Sequence, residues 1–563
     1  MSEPSPLDGK LGGRVDAARL MEHIAEFAKR VKLSGTPEEL ESFAYLKERM
    51  ESYGFTTTLI LHDAYISLPG ATETVVDGRP LDCITHSMAV ATGAEGITAD
   101  LVYVGEGTAE DFARADVAGK IALIDGIAVE DVADRASRAG AIGEIHISPN
   151  EHLYEMCVSP VWGSPSQHTL ADLPTTAIVT VRNDDGAKLR ERCRAGERVT
   201  AHLKTEVDTG WRKTPILVCD LDIAGPDAPF VLFCGHHDTW HYGVMDNGGA
   251  NATMLEAARI LAESRDTLRR NLRVCFWSGH SHGRYSGSAW YADEYFDELD
   301  RRCAAHVNVD STGGEGAIVL TNSGVIDELK HLAAEVIDAE TGQHHAGRRH
   351  GRAADQSFWG VGIPSMFGSL SHQPPGPVKM LTALGWWWHT PHDLAEHIDP
   401  ENLQRDTRIV LEVLRRLLSD RVLPLDYGAW CEALGRLLDE IEPAVGDRLD
   451  LSGVVQSFDA LCETVEAFAD YAANAEASEA PALDAALMRA SRALVPLDYT
   501  FGDRFVHDSA VPHPAWPALA DLFALARLAK GAPEEKFHIV SARRARNRLI
   551  HALREAEQAL TLT

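Results

Sequence analysis

Residues 230–250 read FVLFCGHHDTWHYGVMDNGGA. FVLFC is a short, continuous apolar run, the texture of a strand buried on both faces. The polar stretch GHHDTW (235–240) stands at its end, and MDNGGA (245–250) opens a helix expected over 248–263. Met254, Leu255, Ala258 and Leu261 fall on one face of that helix. Strand, polar loop and helix recur outward from here. ILVCDL precedes the stretch, and LRVCFWSG and CAAHVNVD follow it as further strands. This alternation predicts an α/β fold, a sheet with helices on its faces.

Toward the N-terminus, residues 14–31 carry apolar positions at helical spacing. Thr36-Pro37-Glu38-Glu39 is a capping-box pattern that starts a second helix ending near Gly54. After Pro69 the texture changes to short β-rich runs with glycine turns, such as LVYVGEG and KIALIDG. One helical piece, VADRASRAGA, leads into EIHIS, and the segment closes near His202. A small inserted β-rich domain is therefore expected over 70–205, between 1–69 and 206–422. Residues 423–563 read as helical, with stripes such as Val455, Phe458, Leu461, Val465 and Phe468. The alanine- and glutamate-rich stretch near 472–486 reads as a surface loop or helix end.

The chain has 563 residues and a formal net charge of -31. That charge argues against nucleic acid and anionic membrane surfaces as partners. The nine cysteines are scattered without a CxxC or a disulfide-like spacing, so free thiols and a cytoplasmic location are expected. MSEPSPLDGKLGG has neither the basic nor the apolar region of a signal peptide, so none is expected.

Several acid and imidazole side chains stand where strands end, the place where ligands collect in open α/β sheets. They are His236, Asp246, His280, His282, Asp310 and His389. Imidazole and carboxylate together suit zinc, manganese, cobalt or iron. Singly, Asp246 reads equally as a helix N-cap and Asp310 as a turn cap. The tryptophans 386–388 read as packing.

GHHDTW, MDNGG, a strand ending in WSG, NVDSTGGEG, ADQSFWGVGIPS and WWHTPHDLAEHID, in that order, resemble the M28 family of metallopeptidases. The 70–205 segment resembles a protease-associated domain. The C-terminal ALVPLDYTFGDRFVHDSAVPHPAWPALADLF is similar to the dimerisation domain of the transferrin-receptor and glutamate carboxypeptidase II branch. The resemblance implies a mixed sheet flanked by helices, a divalent metal site of one or two ions, and a homodimer built through the C-terminal domain. His236 and Asp310 would hold one ion, His389 would help hold another, and Asp246 would bridge them. Asp238 would orient His236, and Asp355 would support the site.

The family places a Glu-Glu pair, general base then metal ligand, where this chain reads WSGHSHGRYSGS (277–288). Counting back from Gly287-Ser288 puts Ser281 and His282 on the pair; counting forward from Trp277 puts His280 and Ser281 there. The expectation taken forward has His282 as ligand and His280, with Ser281, as the catalytic group; the reverse is kept open. No Arg-x-Arg pair follows GIPS, so a grip on C-terminal glutamate is not expected. Arg284 and Arg352 are candidate substrate grips, and HQPPGP (372–377) is a stiff loop near the cleft. The function implied is a metal-dependent hydrolase of an amide or peptide-like C–N bond in a small substrate, with metal-bound hydroxide as nucleophile. A lyase or redox enzyme on the same cage, and a non-catalytic binding protein like transferrin receptor, are the alternatives.

Overall fold

The computed structural model describes residues 11–376 and 383–561. The N-terminal stretch read for a signal peptide lies partly outside them, as does Pro377 of the HQPPGP loop. Within them one 14-stranded sheet runs through the molecule. In the half of the sheet outside the insert, strands Asn271–Trp277, Phe230–His236, Cys303–Asp310 and Ser365–Ser369 lie side by side and parallel. Strands 230–236, 271–277 and 303–310 are buried along their whole length, as their apolar runs require. Their carboxyl ends therefore share one rim.

Two long strands, Thr56–Val76 and Thr200–Leu221, pair antiparallel and join this half to the inserted region. Strand 200–221 pairs with 271–277 at one end and with Ile97–Gly105 at the other. A register shift between Pro69 and Thr72 marks the hand-over, where proline supplies no ladder hydrogen bond. The insert is less purely β than its sequence texture suggests. Its parallel strands 97–105, 121–125, 143–147 and 177–181 alternate with helices Ala109–Arg114, Glu130–Arg138 and Asn183–Arg194. Helix 130–138 is the helical piece VADRASRAGA expected from the sequence; helices 109–114 and 183–194 were not expected, because they carry few apolar residues.

The N-terminal helices pack on the half outside the insert, against helix Ala250–Glu263. In helix Pro37–Ser52 the Thr36 side chain accepts from Glu39 N, as the capping pattern predicts. Glu39 itself turns to the Gly35 amide at 2.7 Å instead of completing the box. Helix Pro400–Ser419 buries Leu403, Val410, Val413, Leu414 and Leu417. The C-terminal region is helical, with helices Tyr427–Val445, Ser452–Asn474, Ala480–Tyr499, Ala520–Arg527 and Glu535–Leu560. The biased 472–486 stretch falls at a helix end and the start of the next helix. No helix among the described residues is long and apolar enough to cross a membrane.

Candidate metal centre

Asp246 is the pivot of the site. One carboxylate oxygen lies 3.1 Å from His236 Nε2 and the other 3.1 Å from His389 Nε2. Asp310 Oδ1 stands 3.8 Å from the same His236 nitrogen. All four groups come from the rim: His236 ends its strand, Asp310 ends the neighbouring one, Asp246 opens the next helix and His389 follows the tryptophan run. His236, His280 and Asp310 each offer a ligand atom, all within 4.8 Å of one another.

The sequence expectation of His282 as ligand needs correction, because the structure brings His280 rather than His282 into this group. Asp238 explains why. Its carboxylate accepts the Ser281 backbone N–H at 2.9 Å and the His280 N–H at 3.3 Å. That grip fixes the turn so that the His280 ring stacks on His236, with centroids 3.7 Å apart. His282 instead packs on Trp240 at 4.4 Å, with its Nδ1 3.0 Å from Ser34 Oγ. Its Nε2 and the Ser281 hydroxyl are buried without a hydrogen-bond partner. Burial, above all, holds the His282 pKa down to about 3. The count forward from Trp277 thus describes the geometry. The longer turn that follows contains Arg284 and Tyr285, both left-handed at φ 47° and 67°.

The supporting groups sit behind these. Asp355 accepts at 2.7 Å from His280 Nδ1 and at 2.7 Å from the Ser288 hydroxyl. Asp238 orients His236 through its backbone carbonyl, 2.8 Å from Nδ1, rather than through its carboxylate. Either partner fixes which ring nitrogen carries the proton and leaves the other lone pair facing the pocket. Burial opposes charge on His236, but Asp246 and Asp310 outweigh it and push its pKa well up. Burial likewise opposes ionisation of Asp246, yet His236 and His389 hold its carboxyl well below the usual range. A carboxylate kept ionised between two imidazole nitrogens, beside a second carboxylate, is a donor set that fits a divalent cation. His236, His280, Asp246 and Asp310 would hold it, with His389 on the far oxygen of Asp246.

The structure gives both candidate arginines protein partners of their own. Arg284 is buried, bound to Glu130 at 2.8 Å and to the carbonyls of Cys157 and Ser159. Arg352 lies over the Trp162 ring and donates to the carbonyls of Asp508 and Ser509. The Arg284 guanidinium is taken up by its partners, while Arg352 keeps part of its side chain exposed. Sequence reading missed other residues. Asp393 accepts the Met245 and Asp246 amides at 2.8 and 3.0 Å, and so aims Asp246. Its place four residues after His389 in HTPHD was the available signal. Lys32 is wholly buried and donates to the carbonyls of Phe27, Arg30 and Tyr242, beneath the same loop. Nothing local in the sequence announces that role. Trp387 and Trp388 are packed inside, as expected, while Trp386 remains 39% exposed.

These features define a buried imidazole–carboxylate metal site on the rim of a parallel sheet, the layout of a metallohydrolase. Residues 218–414 match the model of peptidase family M28 and residues 97–189 that of the PA domain. Aminopeptidase YwaD of Bacillus subtilis (strain 168) is 25% identical over 389 residues, covering 66% of this chain and 78% of that protein. A probable glutamate carboxypeptidase VP8 of Zea mays is 28% identical over 235 residues, 38% of this chain but only 32% of that protein. Among solved structures, an aminopeptidase from Aneurinibacillus sp. strain AM-1 superposes with a TM-score of 0.57 at 24% identity. It covers 73% of this chain and 96% of its own. The zinc aminopeptidase BSAP from Bacillus subtilis gives 0.56 at 21%, covering 72% and 96%. At these identities the two structures speak for the fold.

Proposed function

We propose that this protein is a metal-dependent hydrolase of a peptide-like C–N bond, with zinc as the cation its donor set suits best. The observation that carries the reading is Asp246 held between His236 Nε2 and His389 Nε2 at 3.1 Å each. The peptidase names of its relatives support the reaction class, and the zinc aminopeptidase among its structural neighbours supports the metal. A cation held there supplies Lewis acidity to a substrate carbonyl and to water. The chain's own residues do the rest. Asp393 and Asp238 fix the loops, and Asp355 holds the proton on His280 Nδ1 so that Nε2 presents its lone pair. Asp246 and Asp310 supply the negative charge the pocket needs.

The test is elemental analysis of protein purified without added metal, scaled per chain, for wild type, His236→Ala and Asp246→Ala. The wild type should carry zinc or a similar divalent ion, and both variants should lose it together with hydrolysis of amide substrates. Full metal and full activity in either variant would sink the assignment. Two equivalents per chain would mean that His389 and Asp246 hold a second ion; one equivalent would restrict binding to the His280 side.

Two further readings belong here. Phe505 and Val506, each 64% exposed, and Phe537, 77% exposed, give the C-terminal region an apolar surface suited to a homodimer. Light scattering on the purified chain reads that mass directly. The nine free cysteines suit a reducing, cytoplasmic setting.

A further inference from the structure

Helices Tyr427–Val445 and Ser452–Asn474 follow one another in the chain and pack together. The short connection over 446–451 returns the chain, so they run antiparallel. Gly435 is a point of close approach: a Cβ there would stand 3.2 Å from Phe458 Cζ. One helical turn back from Gly435 is Cys431, and one turn on from Phe458 is Cys462. In an antiparallel pair those two positions fall at the same level. The two thiols indeed meet there in a hydrogen bond, and both line a cleft of about 1250 Å³.

The two thiols are unequal. Cys431 is 7% exposed, whereas Cys462 is only half-buried. Their hydrogen bond, with burial second, pushes the Cys431 thiol well up. At Cys462 the same bond outweighs burial and holds the thiol below its ordinary value. A thiol that releases its proton more readily and can be reached from a cleft is the one that attacks an oxidant. Cys83 and Cys193 are half-buried too, but burial, above all, pushes both of them up.

We propose that Cys431 and Cys462 form a reversible redox site, which closes to a disulfide under hydrogen peroxide and fastens the two helices together beside the cleft. The Cys462 thiolate attacks one peroxide oxygen and the O–O bond breaks. The departing hydroxide takes up a proton to become water, and Cys462 is left as a sulfenic acid. The Cys431 sulfur then attacks the Cys462 sulfur and the S–O bond breaks. The hydroxide released takes the Cys431 proton and leaves as a second water. Two thiols and one peroxide thus give one disulfide and two waters, the sulfurs oxidised and the peroxide reduced. A dithiol reverses the bridge by exchange. The site stands apart from the metal-site reading and does not rest on it.

The experiment treats reduced full-length protein with hydrogen peroxide, alkylates the remaining thiols and maps the digest by mass spectrometry. A peptide pair joined through Cys431 and Cys462 should appear, lighter by two hydrogens than its parts and undone by dithiothreitol. Cys462 should lose its alkylatable thiol on the order of ten-fold faster than Cys83 or Cys193. In Cys431→Ser, dimedone should trap a sulfenic acid at position 462; in Cys462→Ser, no adduct should form at position 431. Thiols at 431 and 462 that outlast those at 83 and 193, or bridges from either to another cysteine or another chain, would overturn the proposal. The wild-type map decides this by itself if either variant fails to fold.

Discussion

His280 and His282 differ in what lies behind them. The first has Asp355 on its Nδ1 and His236 under its face; the second has Ser34 and Trp240 around a buried ring. His280→Ala should therefore lower metal occupancy and amide hydrolysis together, by ten-fold or more. His282→Ala should keep the metal and cost stability, on the order of 2 kcal/mol for a buried ring deleted. Metal titration and thermal melts on the two variants separate the roles; loss of metal in His282→Ala alone would restore the other register. The convergence of residues 236, 246, 310 and 389 was legible because two of them end strands, one opens a helix and His389 follows the tryptophan run. The choice between 280 and 282 was not, because a turn side chain points where its amides are gripped. The grip here comes from Asp238, forty residues earlier.

At the scale of elements, the turn after His282 joins the two domains. Arg284 reaches from it to Glu130, which opens a helix of the insert, and to two carbonyls of the 157–159 segment. The Gly163 N–H returns to the Arg284 carbonyl at 2.7 Å. Removing one partner of a buried, hydrogen-bonded charge pair is expensive. Arg284→Ala should cost about 3 kcal/mol and expose the insert to limited proteolysis before the catalytic half. An unchanged digestion pattern would show that the domains hold together without it. The elements with clean periodicity, such as helix Pro400–Ser419, were readable from sequence. The insert's helix Asn183–Arg194 was not, since its apolar content is too low to betray a face.

Across the whole molecule, stability should depend on pH through carboxyls far from the metal. Glu328 is fully buried, neither carboxylate oxygen has a hydrogen-bond partner, and burial pushes its pKa up to about 8. An unfolded glutamate titrates near 4.3. Between those values the folded state holds a proton that the unfolded state has released. Stability is therefore greatest below the lower value and falls as pH rises through the higher one. Glu328→Gln should match wild type near pH 5 and melt higher near pH 8.5, by roughly 1–3 °C. Equal melting curves at both pH values would remove Glu328 from the account.

Strands Thr56–Val76 and Thr200–Leu221 enter and leave the inserted region side by side, paired residue for residue from Thr56↔Asp220 to Pro69↔Val207. In gene architecture, that is a ready-made splice point. A coding sequence cut after Pro69 and rejoined at Val207 through a two-residue turn would close the pair as a hairpin and leave the catalytic sheet's order intact. The shortened protein would lack Glu155, whose carbonyl lies 2.6 Å from His389 Nδ1, so the same junction that makes the insert removable would also take a hydrogen-bond partner from His389.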